Sequence, residues 1–199
     1  IQEISLIHIA SFKKSLLTHL GINIVKQYYE WQLMSSDKVY PYGVFLNQKL
    51  VGYCFGGSFR VALGGFLLRN KNVICYSLIK RPWVLLKPIF IKKIIKGITV
   101  LVRFMKIKKN EEETLLSKKR KNFGILAIAT NPDFRGEGFG KILMKYSEKI
   151  AQKKSYNKIQ LSVSPKNVNA INFYLNLGYK KVNHSREDLW DGNMEKTIN

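Results

Sequence analysis

Apolar residues recur at helical spacing through the N-terminal part of the chain. The pattern predicts one helix over residues 2–20 and a second over residues 22–34. Two β-rich runs then flank Asn47-Gln48 in the stretch VYPYGVFLNQKLVGYCFGG, and they predict a hairpin over residues 39–57. This part of the chain is therefore expected to contain two helices followed by two paired strands.

Strand and helix patterns alternate in the C-terminal part of the chain. The run FGILAIAT is short and apolar, which suits a buried strand, and a glycine-rich stretch after it leads into a helix. The predicted strands cover residues 123–130, 158–163, 179–182 and 193–198, and the predicted helices run from the glycine-rich stretch to about 154 and over 167–178. This order predicts an α/β fold with a mixed sheet, and the length of 199 residues suits a single domain over 1–199.

Residues 58–122 differ from the rest of the chain in charge. They contain 17 Lys or Arg residues and 3 Glu, in a chain with 34 basic and 13 acidic residues and a net charge of +21. Their sequence KPIFIKKIIKGITVLVRFMKIKK has the pattern of an amphipathic helix. We interpret the segment as a basic, mainly helical insertion into the single domain. Charge of this sign attracts nucleic acid, anionic lipid or phosphorylated small molecules, without choosing among them.

Two interpretations of the basic insertion stay open. In the simpler one, its cations form a solvated face on helices that pack against the sheet. In the other, it walls a substrate site and attracts an anionic substrate, while its interleaved apolar residues are buried against the protein, a second subunit or a lipid interface. A peripheral membrane contact through residues 80–109 and a homodimer are both open. No run reaches the ~20 apolar residues of a spanning helix, so no transmembrane segment is expected.

The two cysteines, Cys54 and Cys75, have neither the spacing of a metal site nor the pattern of a disulfide framework. The sequence therefore predicts no metal centre, and a reducing cytoplasm is the expected location. The chain begins at Ile1 within a predicted helix, and we expect the native start to lie before it.

Three glycines lie within five positions of the stretch ATNPDFRGEGFGKIL, between a predicted strand and a predicted helix. They can serve a tight turn that needs positive φ angles, or they can let an anion approach the unpaired N–H groups of the helix N-terminus. A P-loop needs GxxxxGK[ST] and a dinucleotide loop needs GxGxxG, and neither spacing is present. The loop suits a diphosphate, with Arg135 placed for a bidentate contact.

The arrangement resembles the GCN5-related N-acetyltransferase (GNAT) superfamily, whose pattern [QR]-x-x-G-x-[GA] is matched at Arg135, Gly138 and Gly140. A second family pattern, N-x-x-A-x-x-x-Y-x-x-x-G-[FY], follows in the expected order. The residues that match it are Asn167, Ala170, Tyr174, Gly178 and Tyr179. The resemblance covers residues 123–199 and extends more loosely to 2–34 and 39–57. It implies a mixed, mostly antiparallel central sheet flanked by helices, with the family's first strand before Ile1.

The resemblance implies transfer of acetyl from acetyl-CoA to a primary amine by direct attack on the thioester. It puts the cofactor's pyrophosphate on the glycine loop, at Arg135, Gly136, Glu137, Gly138, Phe139, Gly140 and Lys141. The pantetheine arm is expected along the preceding strand, at Ala127, Ile128, Ala129 and Thr130. Backbone N–H groups near the first two of these could polarise the thioester carbonyl. The cofactor contacts implied in the second motif are Asn167, Ala170, Phe173 and Tyr174, and Tyr174 stands at the family's general-acid position.

Each assignment in the second motif has a structural alternative. Phe173 and Tyr174 can be core aromatics of an amphipathic helix, and Asn167 can cap its helix, although a cap and a cofactor contact can coexist. The general base is not assigned, because Ser162 stands where some family members have glutamate. The candidates, none of which the sequence singles out, are Glu30, Asp37, His8, His19 and His184. A water relay is also open.

Within the superfamily, the stretch IHIASFKKSLLTHLG…QYYEWQL, the hairpin and the basic insertion resemble a subgroup associated with bacterial polysaccharide biosynthesis. The acceptor expected from that resemblance is a nucleotide-linked amino sugar, a small anionic amine. The alternatives are an acetyltransferase for a protein N-terminus, a lysine or a small amine, and a basic nucleic-acid or membrane-binding module on a GNAT scaffold. The sequence contains no recognised nucleic-acid module, so no specific nucleic acid is expected. It determines neither the acceptor nor the oligomeric state.

Overall fold

The computed structural model of the chain describes residues 1–34, 38–57, 66–67, 69–86, 122–183 and 190–198. By their contacts these residues divide into two structural units. The helical unit contains residues 1–34 and the described residues between 66 and 86. The sheet unit contains residues 38–57 and the described residues from 122 onward. The predicted cofactor site belongs entirely to the sheet unit.

The helical unit contains α1 (Gln2–Ser11), α2 (Leu16–Leu20), α3 (Ile22–Met34), α4 (Lys71–Lys80) and a 3₁₀ helix (Pro82–Leu86). Helix α3 has the bounds that the apolar spacing predicts, and it contacts α1, α2 and α4. Its Ile24, Val25 and Tyr29 are fully buried. These side chains form the centre of the helical unit's core.

The prediction of a single helix over residues 2–20 is wrong, because the helix is interrupted between α1 and α2. The Ser15 hydroxyl accepts a hydrogen bond from the Thr18 N–H at 3.1 Å. This bond satisfies one of the unpaired donors of a new helix start. A serine cap is a local side-chain effect, so the apolar spacing on either side of it did not reveal the break.

The sheet unit is built on β1 (Val39–Leu46), β2 (Lys49–Gly57), β3 (Asn122–Thr130), β4 (Lys158–Ser162), β5 (Lys180–Lys181) and β6 (Asn193–Thr197). Its strand order is β1-β2-β3-β4-β6-β5. Strands β3 and β4 pair in parallel, and the other neighbours in this sheet are antiparallel. The predicted α/β fold with a mixed, mostly antiparallel sheet is confirmed.

Strands β1 and β2 form the predicted hairpin. Its turn residues, Asn47 and Gln48, have φ angles of 46° and 65°. Two successive positive φ angles are typical of a type I′ turn, whose twist matches that of paired strands. The chain therefore reverses direction at the dipeptide that the sequence indicated.

Two helices, α5 (Phe139–Lys153) and α6 (Val168–Asn176), complete the sheet unit. Helix α5 contacts β1 through β4 and buries Leu143, Met144, Ser147 and Ala151 on one face. Helix α6 buries Ile171 and Tyr174. The core of this unit includes Phe123, Met144, Ile159, Tyr174 and Met194. Burial of these faces fixes both helices on the strands that precede them.

Most of the basic insertion, including all of residues 87–121, lies outside the described residues. Its described part is helical in α4 and in the 3₁₀ helix that follows, as predicted. In the parts of the chain that the structure describes, each helix is too short or too polar to cross a membrane. Both cysteines are free thiols, Cys54 buried and Cys75 exposed.

Candidate active site

The parallel strands β3 and β4 separate part-way along their length. Their ladder ends at the pair Ile125–Leu161, whereas β3 continues beside β2 to the pair Gly52–Thr130. The β2–β3 register shifts at the same level and leaves Leu126 as an extra residue on β3. A bulge of this kind bends a strand. The C-terminal half of β3 therefore has an edge that β4 does not cover.

The backbone of Ile128 is directed to this uncovered edge. The Asn131 N–H donates to the Val51 carbonyl of β2 at 2.8 Å. Because alternate residues of a strand direct their backbone groups to opposite edges, the N–H and C=O of Ile128 point away from β2, whereas those of Ala129 point toward it. Ile128 is thus placed to bind an extended ligand by its main chain.

The backbone of the glycine loop has positive φ angles at two of its three glycines. Gly136 and Gly138 have φ angles of 89° and 84°. A Cβ atom added at either position would meet no other atom within 4 Å. The two glycines therefore keep open space above the backbone, which a larger residue would fill.

Helix α5 starts directly after this loop without a capping side chain. Its N-cap residue is Gly138, and its first turn contains no acidic residue. The Gly138 carbonyl accepts the first helical hydrogen bond, from the Ile142 N–H at 3.1 Å. The N–H groups before Ile142 in the helix consequently point outward without a helical partner. With Lys141 in the first turn, these N–H groups have the arrangement that suits an anion such as a diphosphate.

The second motif packs against the start of α5. A Cβ atom at Gly140 would lie 3.3 Å from Cζ of Phe173 in α6. Phe173 and Ala170 are partly buried and pack against the core of the sheet unit. Gly140 therefore serves the close approach of α6, whereas Gly136 and Gly138 serve the backbone conformation. The structure brings the two sequence motifs together at this point.

Asn167 caps α6. Its side-chain oxygen accepts a hydrogen bond from the Ala170 N–H at 3.2 Å. The capping role considered from the sequence is confirmed. The same side chain keeps an amide nitrogen that can donate elsewhere, so its contact with the cofactor stays a prediction.

Tyr174 is buried on α6, 8% exposed, between two other aromatic rings. Its ring lies edge-on to Phe173, with centroids 5.1 Å apart, and to Tyr179 at 5.9 Å. Burial, and in second place the Cys54 thiol, raises the pKa of Tyr174 above its ordinary value of 10.0. The hydroxyl is therefore fully protonated at neutral pH, as a proton donor must be.

A buried polar cluster near Tyr174 was not predicted from the sequence. Tyr42 of β1 donates a hydrogen bond to Cys54 Sγ of β2 at 3.1 Å and also contacts the Ser147 hydroxyl of α5. Ser147 in turn donates to the Leu143 carbonyl at 3.0 Å. Burial raises the pKa of the Cys54 thiol to about 11. Cys54 of β2 pairs with Ile128 of β3, so the cluster adjoins the strand on which the pantetheine arm is expected.

Tyr179 adds a buried hydroxyl near the same cluster. It is 1% exposed, and its hydroxyl lies close to the Glu148 carboxylate. Burial and the nearby charge of the Glu148 carboxylate raise its pKa. That carboxylate itself accepts a hydrogen bond from Lys196 Nζ at 2.8 Å. Tyr179 is therefore neutral at physiological pH and is not a base.

Three of the base candidates, His8, His19 and Glu30, belong to the helical unit. His8 is buried in the helical unit, hydrogen-bonded to Tyr29 at 2.8 Å and Ser15 at 3.2 Å. Burial lowers its pKa to about 4. Glu30 lies 4.0 Å from Lys26 Nζ on the same helix, and His19 lies in α2.

The last two candidates, Asp37 and His184, lie outside the described residues. Ser162, which occupies the family's glutamate position, ends β4 and is exposed. The general base therefore stays unassigned.

Solved structures share the fold of this chain at low sequence identity. PH1933 of Pyrococcus horikoshii OT3 superposes with a TM-score of 0.57 at 18% identity, over 99% of this chain and 89% of that one. The ribosomal-protein-alanine N-acetyltransferase of Brucella melitensis gives 0.54 at 13% identity, over 98% and 92%. The PaiA N-acetyltransferase of Thermoplasma acidophilum, in complex with coenzyme A, gives 0.50 at 15% identity, over 99% and 93%. At these identities the likeness shows the fold alone.

Sequence comparison gives the family. No curated protein sequence matches the chain. The model of the acetyltransferase (GNAT) family, in contrast, matches it over residues 10–179, a range that includes both motifs. Most of the chain is covered by that match, and the sheet, the bare start of α5 and the packing of α6 against it agree with it. The chain therefore belongs to the GNAT acetyltransferase family and is an acetyl-CoA-dependent N-acetyltransferase.

Proposed function

We propose that this enzyme holds acetyl-CoA across the start of α5 and along the uncovered edge of β3. The observation that carries the proposal is the uncapped helix start, where Gly136 and Gly138 leave open space above left-handed backbone. The pyrophosphate would be bound by N–H groups of the loop and first turn, the residues being Arg135, Gly136, Glu137, Gly138, Phe139, Gly140 and Lys141. Arg135 and Lys141 are exposed there and would add positive charge.

The same proposal assigns the pantetheine arm to β3 and α6. Ile128 would bind it by main-chain hydrogen bonds, as an added strand does, beside Ala127, Ala129 and Thr130. Asn167 would donate from its amide nitrogen while its oxygen caps α6. Ala170 and Phe173 would supply apolar contact.

Tyr174 would donate the proton that the leaving sulfur needs. The coenzyme supplies an activated acetyl thioester. Attack by the amine forms a C–N bond as the C–S bond breaks, and the leaving sulfur then requires a proton or a hydrogen bond. The Tyr174 hydroxyl is protonated and buried, so it can donate to that sulfur. The N–H of Ile128 would stabilise negative charge on the acetyl oxygen. The proton released by the amine would leave through water.

We propose a nucleotide-linked amino sugar as the acceptor. Its diphosphate is complementary in sign to a chain with net charge +21, most of it carried by residues 58–122. The resemblance of the N-terminal stretch to a polysaccharide-associated subgroup points the same way. Both thiols are free, and we propose a cytoplasmic location on that ground.

The acceptor is tested by a matched pair of substrates. Thiol release would be measured with a UDP- or dTDP-linked amino sugar and with the same amino sugar lacking the nucleotide. We expect kcat/KM to be at least ~100-fold higher for the linked sugar, because charged contacts with the diphosphate are lost without it. Peptides with a free N-terminus, a lysine peptide and a polyamine complete the panel. A peptide or polyamine as the best substrate would replace the amino sugar by the alternative acceptor.

The control for this assay is Gly138→Val, which should abolish thiol release with every acceptor while the circular dichroism spectrum is retained. Isothermal titration with acetyl-CoA is the separate test of the donor site. If no heat is measured at millimolar acetyl-CoA, the donor does not bind. The alternative of a binding module on a GNAT scaffold would then replace the proposed function.

A further inference from the structure

Helix α4 and the 3₁₀ helix after it are apolar on two opposite sides. The inner side is half-buried and carries Val73, Ile74 and Leu78. The outer side carries large exposed residues, which we call the α4 face: Tyr76, Ile79, Trp83, Leu85 and Leu86. Of these, Ile79 and Leu86 are 77% and 79% exposed. Large exposed apolar residues clustered on one side of a segment commonly mark an interaction surface, so the α4 face is expected to contact a partner.

Packing within the helical unit holds the α4 face outward. Val84, in the middle of the 3₁₀ helix, is 1% exposed and anchors the segment. The Arg81 guanidinium lies against Gly21 at the C-terminal end of α2, where any side chain would overlap it. A cation at that position also interacts favourably with the helix dipole. With both anchors in place, Trp83 and Leu86 cannot turn inward without unpacking Val84.

In the sequence that contains the α4 face, the charge has a single sign. Residues 58–110 contain 13 Lys or Arg residues and no Asp or Glu. In the described part, Arg69, Lys71 and Lys80 flank the face, and Lys80 Nζ lies 4.6 Å from the ring centroid of Tyr76. The sequence of residues 87–109 continues the composition, with eight further cations among isoleucine, valine, leucine and phenylalanine. The partner must therefore offer both an apolar interior and negative charge.

We propose that the α4 face docks on an anionic lipid surface. Tryptophan and tyrosine favour the boundary between headgroups and acyl chains, which suits Trp83 and Tyr76. Ile79 and Leu86 would enter the acyl region, while Lys71 and Lys80 would lie at the level of anionic headgroups. No step of this proposal depends on acetyl-CoA or on the acceptor.

Other partners fit the α4 face less well. Two copies of the chain joined by this face would bring two basic surfaces together without a compensating carboxylate in residues 58–110. Nucleic acid would neutralise the cations, but it offers no apolar interior for Ile79 and Leu86. An anionic bilayer satisfies both requirements.

The test is partition of the full chain onto sedimented vesicles of phosphatidylcholine alone and of phosphatidylcholine with about a third phosphatidylglycerol, an anionic fraction that attracts basic segments. We expect binding to the anionic vesicles and at least ~10-fold weaker binding to the neutral ones. The triple variant Ile79→Ser, Trp83→Ser, Leu86→Ser should lower partition at least ~10-fold, since it removes three apolar contacts. Its matched control, Leu6→Ser, Leu33→Ser, Phe45→Ser, removes three exposed apolar residues elsewhere and should bind like the unmodified chain.

A spectroscopic readout locates the contact. Tryptophan emission should shift to the blue when anionic vesicles are added, and Trp83→Phe should abolish the shift, whereas Trp31→Phe should retain it. Circular dichroism and acetyl-CoA titration of both triple variants should match the unmodified chain. Since donor binding is measured separately, failure of the membrane proposal is distinguishable from failure of the proposed function.

Four results would overturn the proposal. They are no binding to anionic vesicles, equal binding to neutral ones, undiminished binding of the Ile79, Trp83 and Leu86 variant, and an equal loss in the control variant. If the face instead joins two copies, sedimentation velocity would show a dimer that this variant dissociates, without vesicle binding. If it binds nucleic acid, the variant would lose affinity for a DNA duplex rather than for vesicles.

Discussion

Helices α5 and α6 begin in opposite ways, although each follows one of the two parallel strands. At the start of α6, Asn167 satisfies the Ala170 N–H from within the chain. At the start of α5, Gly138 has no side chain to do so. Relative to a capping side chain, a glycine at this position costs a helix roughly a few tenths of a kcal/mol, so the bare start of α5 loses little stability. It leaves N–H groups without a partner in the helix, and an anion is able to bind such groups.

A glycine with a positive φ angle lies next to each of these helices, at the start of α5 and after the end of α6. Gly138 before α5 has a φ angle of 84°, and Gly178 after α6 has one of 85°. At Gly178 the left-handed residue follows the last turn of a helix, a position where glycine is common. At Gly138 it opens a helix and leaves space above its N–H groups. Because a larger residue would be strained at both positions, the pair permits a direct test of what the open space contributes.

The largest effect is expected from Gly138→Val. A valine side chain would fill the open space at Gly138. The loop would then lose two or more hydrogen bonds to the charged pyrophosphate, which should raise the acetyl-CoA dissociation constant at least ~10³-fold. Gly178→Val is the matched control, because it imposes similar backbone strain of about 1–3 kcal/mol at the end of α6, outside the glycine loop. It should lower thermal stability and keep acetyl-CoA affinity. Calorimetry and thermal melts measure the two quantities, and equal losses of affinity in both variants would contradict an anion site at α5.

The second largest effect is expected from removal of the Tyr174 hydroxyl on α6. Tyr174→Phe should lower kcat ~10²-fold with unchanged acetyl-CoA affinity, since it removes the proton donor but keeps the ring. Because burial raises the pKa of Tyr174, its hydroxyl keeps its proton as the pH rises from 7 to 9, and kcat should not fall over that range through loss of this proton. Pre-steady-state kinetics would establish that chemistry limits the rate. Unchanged turnover under that condition would make Tyr174 a core residue only.

Tyr179→Phe is the control for that experiment. It removes a hydroxyl that is buried close to the Glu148 carboxylate and is not among the predicted cofactor contacts. We expect unchanged kcat and a change of no more than about 1 kcal/mol in unfolding free energy, the net contribution of one hydrogen bond.

A smaller effect separates the two roles of Asn167. Asn167→Ala should lower the unfolding free energy by about 1 kcal/mol and raise the acetyl-CoA dissociation constant about fivefold, the equivalent of one hydrogen bond. Asn167→Ser retains a capping oxygen and loses the amide donor. It should restore stability without restoring affinity. Recovery of both by serine would show that Asn167 acts on the cofactor only through the cap.

The smallest effect is expected from charge near the start of α5. Lys141→Gln should weaken acetyl-CoA binding about twofold to fivefold at low salt, and the difference should shrink as salt is added. Lys153→Gln, at the last turn of the same helix, is exposed in the same way and should leave affinity unchanged. Titrations of both variants at two salt concentrations measure this. An equal effect at the two ends of the helix would attribute it to net charge instead of to the site.

Much of the sheet unit could be predicted from local patterns. Apolar spacing and the glycine and asparagine positions indicated β3, α5, β4 and α6 to within a few residues, and the Asn47-Gln48 turn located the hairpin. Such features depend on near neighbours in the chain, so a single sequence contains them. The break at Ser15 escaped prediction because one side-chain hydrogen bond, not apolar spacing, creates it.

Register could not be predicted in the same way. A two-residue turn at Asn47-Gln48 would pair Tyr42 with Tyr53, but the ladder shifts at Val44/Phe45 and pairs Tyr42 with Cys54. One residue of shift exchanges the faces of a strand. The cluster of Tyr42, Cys54 and Ser147 beside Tyr174 arises from that shift, and no spacing in the sequence indicates it.

Family and fold class followed from the order of residues, because glycine conformations and motif spacings act within a few positions. The opening between β3 and β4, the approach of Phe173 to Gly140 and the outward direction of Trp83 were decided only in three dimensions. Each depends on contacts between segments distant in the chain. Packing selects among such contacts by buried area and hydrogen-bond satisfaction, and neither quantity can be assigned until the segments have met.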